Sequence, residues 1–152
     1  MNTKEVESAL VQTKRLFTNC VKNIVVPNIS WGLGFNHELD LLCLSKAGYI
    51  TEVEIKISRA DLLRDFDKKH HHSDPRIKFL YYAAPSSMLD DLLELVPKEN
   101  GIIIVNEKGK PKGKIIRKAE PKSARKINRK ERDKLYALMM MRFWNLRILN
   151  NS

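Results

Sequence analysis

Two runs of alternating residues, separated by Lys46-Ala47-Gly48, constrain the fold of this chain more than any other feature. From Tyr49 to Ser58, apolar Tyr49, Val53, Ile55 and Ile57 alternate with polar Glu52, Glu54, Lys56 and Ser58, with Ile50 and Thr51 out of step. A period of two is strand periodicity, because successive side chains point to opposite faces. The run from about His37 to Ser45 also reads as a strand, and a three-residue connection closing on glycine suits a hairpin that needs a left-handed residue there. Pairing back through that loop sets Ser45 against Tyr49, Leu44 against Ile50, Leu42 against Glu52 and Asp40 against Glu54. Opposed residues project from one face with Cβ atoms about 4.5–5.5 Å apart. Asp40, Glu54 and Lys56 therefore converge, with Glu38 opposite Lys56.

With 152 residues, of which 43% are apolar, the chain supports one core and reads as a single domain over 1–152. Its core spans about 4–118, and a basic segment and C-terminal helix occupy 106–150. A first helix is expected over about 4–22, where Val6, Ala9, Leu10, Thr13, Phe17, Cys20 and Val21 share a stripe. Pro27 to Phe35 reads as turn-rich. Ser58 followed by Asp61 resembles a capping box, predicting a helix over about 59–69 with Leu62, Leu63 and Phe66 inward. Ile77–Ala84 and Gly101–Val105 read as buried strands around a helix at 86–95, an order that implies parallel pairing. Lys114–Lys118 reads as a short edge strand before a long helix from Ser123 to about Leu149. The fold class is thus α/β.

No apolar run approaches the roughly 20 residues that cross a bilayer, and MNTKEVESAL carries charges where a signal peptide needs apolar residues. Neither membrane insertion nor export is expected, and the cytoplasm is the expected compartment. Cys20 and Cys43 lie in apolar stretches without metal-site spacing and read as buried, reduced thiols. The net charge of +10 calls for a polyanionic partner. Nine of those charges fall between Asn106 and Arg132, where twelve basic residues meet three acids. Such density suits phosphate contact with counterion release, with Lys108, Lys110, Lys112, Lys114, Arg125 and Arg129 as the candidate nucleic-acid-binding residues.

Two converging carboxylates repel unless a cation lies between them. Mg²⁺, which takes one or two carboxylates plus water and substrate phosphate oxygens, suits Asp40 and Glu54. Lys56 beside them is suited to position an attacking water and offset charge growing on a phosphate. The stretch HELDLLCLSKAGYITEVEIK resembles the active-site hairpin of the PD-(D/E)XK nuclease superfamily. More narrowly, EVEIKISRADLLRDFDKKHHH and IKFLYYAAP are similar to MmcB-like DNA-repair proteins, over roughly residues 36–105.

This resemblance implies a restriction-endonuclease-like fold, a mixed β-sheet flanked by helices. It also implies hydrolysis of DNA phosphodiester bonds with Mg²⁺ or Mn²⁺ in DNA repair or processing, as an endo- or exonuclease, with RNA an alternative substrate. By the same resemblance Asp40 and Glu54 are metal ligands joined by the Ile55 carbonyl, and Lys56 is the catalytic lysine. Leu39 stands where the superfamily motif has proline, a position that is not a ligand. Glu5 or Glu7 could take the auxiliary acidic role seen in some relatives.

Glu38 and His72 are further auxiliary candidates, His72 because one of His70, His71 and His72 could touch a phosphate or shuttle a proton. Three consecutive histidines without a second Cys/His cluster do not suit structural zinc. The apolar C-terminal helix, with Leu135 to Met141, Phe143, Trp144, Leu146, Ile148 and Leu149, is either buried or shared in a homodimer. The competing functional readings are an inactive nucleic-acid-binding module of the same fold and a homo-oligomeric interaction protein.

Overall fold

The computed structural model describes residues 1–30, 33–67 and 74–151. The elements run α1 (Thr3–Gln12), β1 (Ile24–Ile29), β2 (Leu39–Leu44), β3 (Ile50–Ile55), α2 (Arg59–Phe66), β4 (Ile77–Pro85), α3 (Leu89–Leu95), β5 (Gly101–Val105), β6 (Gly113–Arg117) and α4 (Arg129–Asn150). The six strands form one sheet in sequence order. β1, β2 and β3 are an antiparallel meander, β3, β4 and β5 are parallel, and β6 closes the far edge antiparallel to β5. The hairpin register is the expected one, with Leu44 opposite Ile50 and Leu42 opposite Glu52, and Gly48 takes a positive φ of 96° in the connection.

Each parallel step needs a crossover, and α2 and α3 supply the two. Successive right-handed crossovers in one direction leave both helices on one face. There they bury Leu62 and Leu92 against Leu80, Tyr82 and Ile102. On the other face α1 buries Val6, Ala9 and Leu10 against Leu41, Val53, Ala83 and Ile103. A third cluster joins Val26, Leu42 and Ile50 to Ile127 and Leu135, which seats the beginning of α4 on the meander.

Several boundaries depart from the sequence reading. The first helix ends at Gln12 rather than near residue 22. Thr13 closes it by donating its hydroxyl to the Ala9 carbonyl (2.7 Å) and accepting from the Gly113 amide (3.0 Å). Thr18 and Asn19 then donate to the Leu10 and Val11 carbonyls at 2.8 and 3.2 Å. Short polar side chains that bond backbone groups in this way replace helix with turns. Cys20 consequently lies outside any buried stripe and is exposed, whereas Cys43 is buried as expected.

Pro27 lies inside an edge strand rather than a loop, a place where its missing amide breaks no internal ladder. Next to it Asn28 takes a positive φ of 48°, while the register with β2 continues unchanged from Pro27–Leu41 to Ile29–Leu39. On α2, Leu62 is buried but Leu63 is 42% exposed, and the other buried position is Asp65.

The last helix begins at Arg129, not Ser123, because Asn128 and Glu131 form a reciprocal capping box. The chain before it is an extended strap across the sheet. Amides of Glu120, Lys122, Arg125 and Ile127 donate to carbonyls of Glu99, Lys78, Pro75 and Gly48, at the amino-terminal ends of β5, β4 and β3. Arg76, 6% exposed, pins the strap and helix by reaching Asp74, the Leu33 carbonyl and Glu131 at 2.6–2.8 Å. Leu138 and Met139 continue the packing of α4 on the meander and Arg142 donates to the Pro27 and Asn28 carbonyls of β1, while the apolar side chains from Phe143 to Leu149 are exposed. Among the described residues, no helix is long and apolar enough to cross a membrane.

Gly101 faces the Tyr81 ring so closely that a Cβ there would lie 2.2–2.8 Å from three ring carbons. Tyr81 cannot swing away without leaving Phe17, whose ring centroid is 4.8 Å from its own. Gly101→Ala is therefore expected to cost about 1–3 kcal/mol by overpacking. Thermal unfolding followed by circular dichroism should show a melting temperature lower by roughly 3–10 °C.

Candidate functional site

The hairpin parity that aligns Leu42 with Glu52 puts Asp40, Glu52, Glu54 and Lys56 on one face of the sheet. A cavity of about 350 Å³ opens at the carboxyl end of β3, lined by Asp40, Glu54, Ile55 and Lys56 among others. The three residues expected to meet do meet. Glu38, just before β2, also borders this cavity. The Lys56 ammonium lies 3.0 Å from Asp65 Oδ1 and 3.4 Å from Glu54 Oε2.

Asp65 reaches the site from the inward face of α2, whose start is set by Ser58 Oγ accepting from the Asp61 amide. Its second oxygen accepts from the Tyr82 hydroxyl at 2.8 Å, so a buried Lys56–Asp65–Tyr82 chain fixes the lysine. Asp40 is held from the other side. Its Oδ2 accepts from the Ile55 amide at 2.8 Å, linking the two strands at the cavity.

Glu52 is fully buried and Glu54 is 5% exposed. His37 Nε2 lies 2.7 Å from Glu52 Oε1, and its Nδ1 lies 2.9 Å from Asn36 Oδ1. One ligand atom each from His37, Glu52 and Glu54 can be chosen such that all lie within 4.8 Å of one another. Glu54 Oε1 is buried without a hydrogen-bond donor among the described residues. Burial, then the neighbouring Glu52 and Asp40 carboxylates, push the Glu54 carboxyl up from 4.5 to about 9, and Lys56 only partly opposes them. Asp40 is likewise raised by burial, against the Ile55 hydrogen bond and the Lys56 charge. Burial disfavours the Lys56 ammonium, but Glu54 and Asp65 outweigh it and keep the lysine charged.

Of the two acids considered on α1, Glu5 belongs to the N-terminal capping box with Asn2, while Glu7 is near enough to Asp40 for its own pKa to rise, after burial, on that account. The expectation for His72 lies outside the described residues, as do His70 and His71. Sequence reasoning passed over Asp65, Glu52, His37 and Tyr82 as site residues. The available signals were an acid on the inward stripe of α2 and the two-residue step from Glu52 to Glu54.

The basic segment divides between opposite ends of the strands. Lys108, Lys110 and Lys112 lie in the β5–β6 connection, at the cavity end of the parallel strands. Lys110 and Lys112 face Lys4, Lys14 and Arg15 across a groove of about 910 Å³ beside the start of α1. Thr3, one residue from Lys4, lines the acidic cavity. Lys114 is exposed on β6. Arg125 belongs to the strap at the other end and is paired with Glu131 at 2.7 Å, and Arg129 starts the helix beside it.

The chain is similar in fold to a solved structure. The SPO1766 protein of unknown function from Silicibacter pomeroyi matches with a TM-score of 0.72 and 18% identity, over 100% of this chain and 95% of that one. No family model and no curated protein matches the sequence. The shared architecture is a mixed α/β sheet flanked by helices.

A carboxyl held near 9 in the fold and near 4.5 in the unfolded chain favours folding fully below the lower value, and that contribution disappears as pH rises through the upper one. Metal-free protein should therefore lose stability between about pH 5 and 9. Glu54→Gln should flatten this trend and raise the melting temperature at pH 8 by on the order of 5 °C, measured with a chelator present. An unchanged pH profile would contradict the buried-acid account.

Proposed function

We propose that this chain is a metal-dependent nuclease of restriction-endonuclease-like fold, related to the PD-(D/E)XK superfamily and acting on DNA in repair or processing. The observation that carries the proposal is the convergence of Asp40, Glu54 and Lys56 on one cavity, with Glu54 buried and its Oε1 lacking a donor among the described residues. That donor set fits a hard divalent ion. Oxygens of Asp40 and Glu54, with the Ile55 carbonyl, would hold Mg²⁺ or Mn²⁺. When bound, the ion supplies Lewis-acid polarisation of a phosphoryl oxygen and a lower pKa for water.

The protein side chains do the remaining work. Asp65 and Tyr82 hold the Lys56 ammonium beside Glu54, where it offsets negative charge growing on a phosphate. Ile55 restrains Asp40 through its amide, so the carboxylate keeps its place while one oxygen remains for other ligands. Lys108, Lys110 and Lys112 are suited to hold the nucleic-acid backbone at the cavity end, and the groove containing Lys4 gives a path for it. Arg125 and Arg129, at the other end, have no part in that path.

Cleavage of single-stranded, duplex and branched DNA should require Mg²⁺ or Mn²⁺ and stop with a chelator. Lys56→Ala should lower the rate about 10²–10³-fold, the usual scale for losing one charge-stabilising donor. Asp40→Ala should abolish cleavage while DNA affinity is largely kept, and metal-independent activity would refute the mechanism. Lys110→Ala combined with Lys112→Ala should weaken binding to all sequences and make the logarithmic salt slope shallower by about 1.8.

A second reading, self-association through α4, is favoured by one observation. Met140, Met141, Phe143, Trp144, Leu146, Ile148 and Leu149 are 48–68% exposed along that helix. An apolar surface of this extent commonly marks an interface. Sedimentation equilibrium comparing the protein with Trp144→Glu distinguishes a dimer from a monomer.

A further inference from the structure

His37 and Glu54 line the acidic cavity, and the buried Glu52, which the hydrolytic reading does not use, lies beside them. His37, Glu52 and Glu54 bring one nitrogen and two carboxylate oxygens within 4.8 Å of one another. Glu52 is 0% exposed and Glu54 5%, so bulk water does not screen the two carboxylates. Glu54 divides its oxygens between two surroundings. Oε2 faces the Lys56 ammonium at 3.4 Å, and Oε1 is buried with no donor among the described residues.

His37 Nδ1 lies 2.9 Å from Asn36 Oδ1, and Nε2 lies 2.7 Å from Glu52 Oε1. An imidazole held at one nitrogen by an outer hydrogen bond offers the other to a metal, with the neighbouring carboxylate as co-ligand once the proton they share is displaced.

We propose that His37, Glu52 and Glu54 form a second divalent-cation site, which shares Glu54 with the Asp40 position and takes Mn²⁺, Co²⁺ or Zn²⁺ in preference to Mg²⁺. The preference follows from the ligand set. Imidazole suits the later first-row ions, whereas Mg²⁺ selects oxygen and retains its waters. The inference rests on the hydrolytic reading only in treating Glu54 as shared. Under it, the Asp40 position is the hard-ion position, and the histidine position distinguishes Mn²⁺ from Mg²⁺.

Bound Mn²⁺ is counted by electron paramagnetic resonance after equilibrium dialysis of the full chain. Wild type is compared with His37→Ala, Glu52→Gln and Asp40→Ala, and circular dichroism verifies that each variant is folded. The expected result is two ions per wild-type chain and one in each variant. The ion lost with His37 or Glu52 should be the one that excess Mg²⁺ displaces poorly. Co²⁺ loaded into wild type should give visible absorption that changes in His37→Ala and not on adding Mg²⁺.

One ion in wild type that survives His37→Ala and Glu52→Gln but not Asp40→Ala would overturn the second site and leave the hydrolytic centre standing. One ion lost in His37→Ala and Glu52→Gln but retained in Asp40→Ala would support the triad and remove Asp40 from the metal. No bound ion would overturn both.

Discussion

Burial of two carboxylates on one face of a β-ribbon is the constraint around which the rest of the site is arranged. Glu52 and Glu54 lie two residues apart on β3, so they share a face, and flanking strands and helices remove both from water. In that environment like charges cannot both stand uncompensated. Lys56 supplies one positive charge but divides it with Asp65. The Glu54 carboxyl consequently binds a proton far more readily than an ordinary glutamate. The metal-binding proposal rests on this arrangement.

Local structure serves the same end. Ser58 starts α2 immediately after the strand, which brings Asp65 two turns later back over Lys56. Tyr82, on the adjacent parallel strand, takes the other Asp65 oxygen. Three neighbouring elements thus fix one ammonium group, and an exchange of any of them would release it. Asp40 is fixed by the backbone of the partner strand, a restraint that does not depend on side-chain identity at Ile55.

Charge on this protein has two separate uses. At the amino-terminal ends of the parallel strands, Arg76 and Arg125 meet Asp74 and Glu131, and these pairs lock the strap and the beginning of α4 to the sheet. At the other end, Lys110 and Lys112 face further basic residues across a groove. A strand of six residues spans roughly 20 Å, so the two groups act on different surfaces although they are close in sequence. Density of charge along the chain overstated the continuity of the surface.

By itself, the sequence determined the β2–β3 register, the convergence of Asp40, Glu54 and Lys56, the parallel pairing of β4 with β5, and the excess of basic charge. These follow from a strand period of two and a loop of known length, both local properties. Tertiary structure decided what those residues touch. Asp65 and Tyr82 became partners of Lys56, His37 came to Glu52, α1 stopped at Thr13, and the basic segment divided between two ends of the sheet. Each depends on contacts between elements distant in the chain, where packing and long-range hydrogen bonds override local pattern, and no periodicity encodes those.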